Sequence, residues 1–522
     1  MPPALLRLLQ RETGASGRPS RAPVAADAVE LTDSALNGDV RSRLALWCGV
    51  REDREARLAH AGGKSYDDLI RRRAGEASAA PDAVLLPTSA DAVRAVLEIC
   101  SEADVAVVPF GGGTSVVGGV EPLRGTFSAV VALDLSGMDQ LLDVDEDSLT
   151  ATFQPGVLTP RAEQLLSERG LTLGHLPQSY EQASLGGYAA TRSAGQASTG
   201  HGRIDELVVA LRCQTPSGEL VLGRGPASAA GPDLRQLIIG SEGVFGVITE
   251  VTVRVRRLPA ERRYQGYVLP DFAAGQRVLR RLAQEEALPD VARLSDDGET
   301  RVTLTMAGGG RAKAAALGTY LRLRRVAGGC LLVLGWEGMP SSVAFRRKAA
   351  HRALTTERGV SLGRSAGEAW RRGRFSGPYL RDDLLDHGIL VETLETATDW
   401  HRLPQLHEAV RDALVDTLRQ DGRAPLVGCH ISHVYPTGAS LYFTVLTGAR
   451  PGAEIPQWDA AKRAATDAIM ATGGTLTHHH AVGSVHAPWL AEEIGDLGVD
   501  VLRAVKSRLD PAGILNPGKL LP

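Results

Sequence analysis

The stretch VVPFGGGTSVVGGV, residues 107–120, limits the fold more than any other part of the 522-residue chain. An apolar run that reads as a buried strand ends at Phe110, and Gly111, Gly112 and Gly113 follow before Thr114 and Ser115. Glycine permits positive φ and close backbone approach. Successive N–H groups can then converge on one point and form a nest for an anion. No Lys-Ser/Thr pair follows the glycines, which excludes a Walker A loop. No GxGxxG opens a long helix, which excludes the dinucleotide fingerprint of a Rossmann domain. Alone, such a triplet would be a tight turn at a strand end. Three further segments, residues 178–195, 201–208 and 240–250, are also rich in small residues. A long cofactor carrying a diphosphate needs such a set within one domain.

The chain is too long for one core, so several domains are expected. Four segments are predicted: an N-terminal extension over 1–81, partly disordered and then helical; an α+β domain over 82–259; a second α+β domain over 260–450; and a mostly helical segment over 451–522. Ser89 is expected to cap a helix, Pro160 to sit in the first turn of another, and Pro216-Ser217-Gly218 to turn a hairpin. Apolar residues at 43% and charged residues at 23% fit a soluble globular protein. A net charge of −3 argues against a nucleic-acid partner. The five cysteines are scattered with no CxxC pair, so neither a disulfide framework nor a zinc ribbon is expected, and a reducing cytoplasm fits. The start of the chain is a poor signal peptide, and the apolar runs are too short to span a membrane. That leaves room for a peripheral membrane contact. Arginine far outnumbers lysine, which suggests a high-GC bacterial source.

PFGGGTS, GGYAATRSAG and GSEGVFGVITE together resemble the FAD-binding domain of the vanillyl-alcohol oxidase/PCMH flavoproteins. The resemblance implies a PCMH-type domain of two α+β subdomains, an α+β cap and a C-terminal segment completing the site. It implies that Pro109, Phe110, Gly111, Gly112, Gly113, Thr114 and Ser115 wrap the diphosphate. Gln178, Ser179, Ser184, Gly186, Gly187, Thr191, Arg192, Ser193 and Ala194 are assigned to the cofactor, with Glu242, Gly243, Gly246, Val247 and Ile248. Some members attach FAD through a histidine near the glycine loop; none lies between Leu86 and Pro160, so noncovalent FAD is expected.

The cap and tail resemble the alkyldihydroxyacetonephosphate synthase family, through LALWCGV, ARLSDDGE, GPYLRDDLL, ASLYFTV and THHHAVG in that order. That family exchanges the acyl chain of acyl-dihydroxyacetone phosphate for a fatty alcohol, through an adduct at flavin N5 and with no net oxidation. The resemblance implies Tyr442 as the group that takes a proton from the substrate carbon. The triplet His478, His479 and His480 is expected to lower the phenol's pKa, with His478 and His480 on one face if the segment is a strand. Arg381 is expected to bind phosphate or the leaving acid, and Arg293 to be a second anion contact or an ion pair. Without the resemblance, Tyr442 would read as a core tyrosine, Arg381 as a surface pair, and the triplet as a candidate zinc pair; no metal is expected. His430 and His486 read as packed or surface histidines. The rival is the 2-hydroxy-acid dehydrogenase branch, an FAD-linked oxidoreductase acting on a 2-hydroxy acid or other alcohol. Its metal ligands are absent here: Tyr442 replaces a histidine and His479 a glutamate. A phosphorylated, lipid-like small molecule and a fatty alcohol are the partners the resemblance implies, and a homodimer is compatible with it.

Overall fold

The computed structural model describes residues 3–306 and 310–522. The chain divides into two compact units, residues 23–194, 202–258 and 479–522 in one and residues 1–22, 195–201 and 259–478 in the other.

The described residues of the first unit form a two-stranded sheet that pairs Leu171–Thr172 with Arg256–Arg257, and two larger sheets. One has the order Gly49–Arg51, Ala83–Leu86, Ala129–Asp134, Val105–Phe110, with its last three strands parallel. The parallel strands are nearly continuous apolar runs, as strands covered on both faces must be. Helix Ala90–Glu102 packs here, and the Ser89 hydroxyl accepts from the Ala92 N–H as its N-cap. The other sheet is antiparallel, in the order Leu141–Asp145, Thr150–Phe153, Val247–Arg254, Val208–Thr215, Gly218–Leu222. Its outer hairpin turns at Pro216-Ser217, with Thr215 opposite Gly218. Pro160 lies in the first turn of helix Thr159–Ser167.

The second unit is built on a seven-stranded antiparallel sheet. The order is Val360–Leu362, Glu261–Leu269, Cys330–Gly338, Val291–Ser295, Leu426–Ile431, Gly438–Gly448, Ile389–Asp399. Helices Leu403–Leu418 and Glu454–Ala471 pack on one another.

Two expectations are corrected here. The first residues are not loose: Pro3–Thr13 is a helix whose Leu5, Leu8 and Leu9 join Leu384, Ile389, Val391 and Leu446 in a core cluster. The spacing i, i+3, i+4 places the three leucines on one face. Leu9→Ala should therefore cost about 2–5 kcal/mol, read as a lower denaturation midpoint. The histidine triplet is not a strand: residues 478–480 are bends between helix Glu454–Ala471 and the short 3-10 turn Ala487–Trp489. Strand alternation therefore does not order the three side chains.

Candidate active site

The glycine loop follows from crowding as much as from flexibility. A Cβ on Gly112 would lie 1.7 Å from the Gln182 carbonyl oxygen, and one on Gly111 would lie 2.4 Å from Ser184 Oγ. Gly113 has φ +62. The loop therefore lies directly on the backbone of residues 182–184. Among the described residues, none accepts a hydrogen bond from the N–H of Gly112, Gly113, Thr114 or Val116. Backbone donors left open in a cradle too tight for side chains fit a diphosphate. Gly112→Ala should abolish FAD binding, because backbone would meet Cβ; flavin absorbance of the purified protein checks this.

The other cofactor assignments fall into several groups. Ser184 caps helix Leu185–Thr191 through the Gly187 N–H, and Thr191 Oγ1 donates to the Gly187 carbonyl. A Cβ on Gly186 would meet Pro155 at 2.5 Å, and one on Gly243 would meet Pro109 at 2.8 Å. Ser179 accepts from the N–H groups of Gln182 and Ala183, beside half-buried Gln178. Ser115 Oγ accepts from the N–H groups of Val117 and Gly119. Arg192 has left-handed backbone and donates through Nε to the Ile239 carbonyl at 2.9 Å. Ser193 bonds His175 at 2.8 Å, and Ala194 is buried beside it in sequence. Gly246 would press a Cβ onto Cys213 Sγ, while Val247 and Ile248 are core residues of their sheet. Glu242 turns away to the chain after the histidines, where its carboxylate accepts from the N–H groups of Val482 and Gly483. His60, outside the sequence search, packs on Phe110 with ring centroids 4.3 Å apart. Its nitrogens contact the Ala56 carbonyl and Asp134.

In the second unit, four chemical side chains stand in one cross-strand row. Ser295 pairs with His430, His430 with Tyr442, and Tyr442 with Glu395. Residues directly opposite in antiparallel strands share a face. The His430 ring stacks on Tyr442 at 4.8 Å. Glu299, at the start of helix Asp297–Met306, ties this row together. It accepts from Arg293 at 2.6 Å and from Ser295 at 3.1 Å, and it pairs with His430 Nδ1 at 2.8 Å. Opposing burial, the charges of His430 and Arg293 hold the Glu299 carboxyl well below its ordinary range. Burial, then Arg293, lowers the pKa of His430.

Burial pushes the Tyr442 phenol up to about 12. The Thr393 hydroxyl and Arg293 work against this, whereas Glu392 and Glu395 add to it. His430 stacks on the phenol, and Arg293 is a cation acting on it. Sequence reasoning gave the tuning of the phenol to the triplet and read His430 as a packed or surface residue. Arg381 lies on helix Gly377–Leu385 and donates to Glu392 at 2.7 Å. His478 Nε2 lies 2.7 Å from the Tyr435 hydroxyl. Glu395 fixes this segment by accepting from the His478 N–H at 2.7 Å and the Thr477 hydroxyl at 2.6 Å. So Arg293, Arg381, Tyr442 and His478 are joined through Glu299, Glu392 and Glu395. His479 and His480 belong to the other unit, with their rings edge to face at 4.8 Å. Sequence reasoning missed Glu299, Glu395 and Tyr435; an acidic residue six positions after Arg293 was the visible trace of the first.

A family model described as an FAD binding domain matches residues 81–223, and one described as the C-terminal domain of FAD linked oxidases matches residues 258–520. The chain is 34% identical over 480 residues to an alkyldihydroxyacetonephosphate synthase of Dictyostelium discoideum, covering 91% of this chain and 78% of that one. It is also 34% identical over 490 residues to the enzyme of that name in Trypanosoma brucei brucei, with the same coverage. A solved structure of an alkyldihydroxyacetonephosphate synthase matches at TM-score 0.85 and 30% identity, covering 99% of this chain and 92% of that one. With an amide-lined cradle suited to a diphosphate and relatives alike over nearly the whole chain, the protein is an FAD-dependent enzyme and belongs to the alkyldihydroxyacetonephosphate synthase family.

Proposed function

We propose that this enzyme exchanges the acyl chain of acyl-dihydroxyacetone phosphate for a long-chain alcohol, releasing a fatty acid and forming an ether with no net oxidation. The observation that carries the reading is Tyr442, held between His430 and Glu395 on neighbouring strands. When bound, FAD supplies the nucleophilic centre at which the substrate carbon changes its oxygen substituent.

Tyr442 takes the proton from the carbon beside the carbonyl. Arg293 and the Thr393 hydroxyl favour the phenolate that does this, against the two glutamates. The high phenol pKa keeps the resting side chain protonated and makes its anion a strong base. Arg381 binds the phosphate, for which its planar guanidinium offers a bidentate fork. Tyr435 and His478 form a phenol–imidazole pair, and to this pair falls the proton that the incoming alcohol gives up. In this reading the cofactor is held noncovalently, since no histidine lies between Leu86 and Pro160. No described helix is long and apolar enough to cross a membrane, and the reading assigns a peripheral contact for collecting a lipid substrate.

The test is incubation of the holoenzyme with acyl-dihydroxyacetone phosphate and hexadecanol, with no electron acceptor present. Mass spectrometry should find the alkyl ether and free fatty acid in equal amounts. A flavin that is instead bleached by 2-hydroxy acids, with no ether formed, would overturn the reading.

A further inference from the structure

We infer that Trp400 is a positioning residue, whose indole N–H holds the turn that carries Tyr435 against His478. The inference rests on the reaction proposed above, in which the Tyr435–His478 pair takes the proton of the incoming alcohol.

Tyr435 stands in the connection between strands Leu426–Ile431 and Gly438–Gly448. Its N–H donates to the Gly438 carbonyl at 2.8 Å. The carbonyls of residues 435, 436 and 437 all accept from one residue, Trp400. The indole Nε1 is shared between the carbonyls of Tyr435 at 3.1 Å and Pro436 at 3.2 Å. The Trp400 backbone N–H donates to the carbonyl of Thr437 at 3.1 Å. Trp400 is 9% exposed. An indole N–H can only donate, and when buried it requires an acceptor inside the protein. The turn supplies that acceptor, and the indole fixes the turn.

Packing leaves this task to the hydrogen bonds. The base of the turn is pressed onto its neighbour, since a Cβ on Gly438 would lie 2.1 Å from Thr398 O. The tip is different. Pro436 and Thr437 are exposed, and they border an open cavity of about 570 Å³ whose walls also include Trp400, Arg280 and His401. The tip has room to move into that cavity, and the bonds from Trp400 oppose the movement.

The imidazole of the pair is anchored by the same strand. Trp400 directly follows strand Ile389–Asp399. On that strand, Glu395 accepts from the His478 N–H and the Thr477 hydroxyl. Thr396 Oγ1 donates to the Thr475 carbonyl at 2.6 Å, and the Thr475 N–H donates to the Ala397 carbonyl at 2.9 Å. Glu395 therefore holds the segment of the imidazole, and Trp400 holds the turn of the phenol. The 2.7 Å between the Tyr435 hydroxyl and His478 Nε2 rests on this shared support. Proton transfer needs heavy atoms within about 2.6–3.2 Å. Loops place chemical groups less precisely than strands do. Through Trp400 the turn gains the precision of the strand.

The experiment uses purified holoenzyme with Trp400→Phe, Tyr435→Phe and the double variant. Trp400→Phe keeps an aromatic ring and removes the N–H. Its kcat for ether formation should fall about 10²-fold, the scale of a catalytic group displaced by about 1 Å. FAD content and the KM for acyl-dihydroxyacetone phosphate should not change, because the glycine loop and Arg381 keep their own contacts. In the Tyr435→Phe background the same substitution should cost nothing further, since the group it positions is gone. A role in stability alone would lower kcat equally in both backgrounds. NMR of histidine-labelled protein reads the His478 ring without any substrate. Its Nε2 signal should move in Trp400→Phe in the direction in which Tyr435→Phe moves it. An unmoved signal overturns the inference whatever the reaction proves to be, and so does an equal loss of kcat in the two backgrounds. Should Trp400→Phe fail to fold, Gln284→Leu takes its place. Gln284 is exposed and donates to the Pro436 carbonyl at 3.2 Å, so its loss should move the same signal the same way by less, and no movement overturns the inference. If the signal moves but the wild type forms no ether, the proposed reaction fails and the positioning role stands.

Discussion

Tyr442→Phe is expected to lower ether formation by about 10²–10⁴-fold, the range for removal of a general acid or base. FAD content should stay unchanged, because Tyr442 belongs to the sheet-built unit and not to the glycine-loop unit. Phenylalanine keeps the stacking on His430 and removes only the hydroxyl. The fold should hold, and circular dichroism and the melting temperature check that. The phenol lies near pKa 12 in the resting protein. The fraction of phenolate therefore rises about tenfold per pH unit through the neutral range. Between pH 7 and 9 the wild-type kcat/KM should climb with pH, and the residual activity of Tyr442→Phe should not.

Glu299→Ala should be the most destabilising single change in the sheet-built unit. It removes the partner of two basic groups at once, half-buried Arg293 at 2.6 Å and buried His430 at 2.8 Å. Breaking a buried pair by removing one partner costs about 3–5 kcal/mol. Chemical denaturation of the variant reads this directly. The pH dependence has a defined sign. The Glu299 carboxyl is held below its ordinary value of 4.5, so its contribution is present above that value and is lost as pH falls through the folded-state pKa. His430 is also held below its ordinary value of 6.5, so the unfolded chain takes up its proton first and stability falls as pH drops below that point. The wild type should weaken progressively in acid, and Glu299→Ala should weaken less steeply. A flat response in both proteins would show that the pair contributes no linkage.

Local chemistry decided which features were legible in the sequence. Ser89, Pro160 and the Pro216-Ser217-Gly218 turn act within a few residues, and each is found in its expected role. The glycine loop was legible because only glycine fits against Gln182 and Ser184. The N-terminal helix was missed because its leucine stripe is short and flanked by Gly, Ser and Pro; tertiary packing against Leu384 and Leu446 decides its state. His430 and Glu395 were missed for a different reason. They reach Tyr442 through strand register between segments far apart in the chain, and single-residue reading carries no register. Glu242 was assigned to the cofactor, and its carboxylate accepts from amides some 240 positions later. A motif shows that a residue matters and leaves open which partner it meets.

The central claim is that the bond between the substrate carbon and its acyl oxygen breaks, and that the alcohol supplies the new oxygen. It is tested most directly with [18O]hexadecanol, acyl-dihydroxyacetone phosphate and anaerobic holoenzyme. The account predicts an alkyl ether carrying the label and a fatty acid free of it. Unlabelled ether, a labelled ester in place of an ether, or no product without an electron acceptor would contradict it.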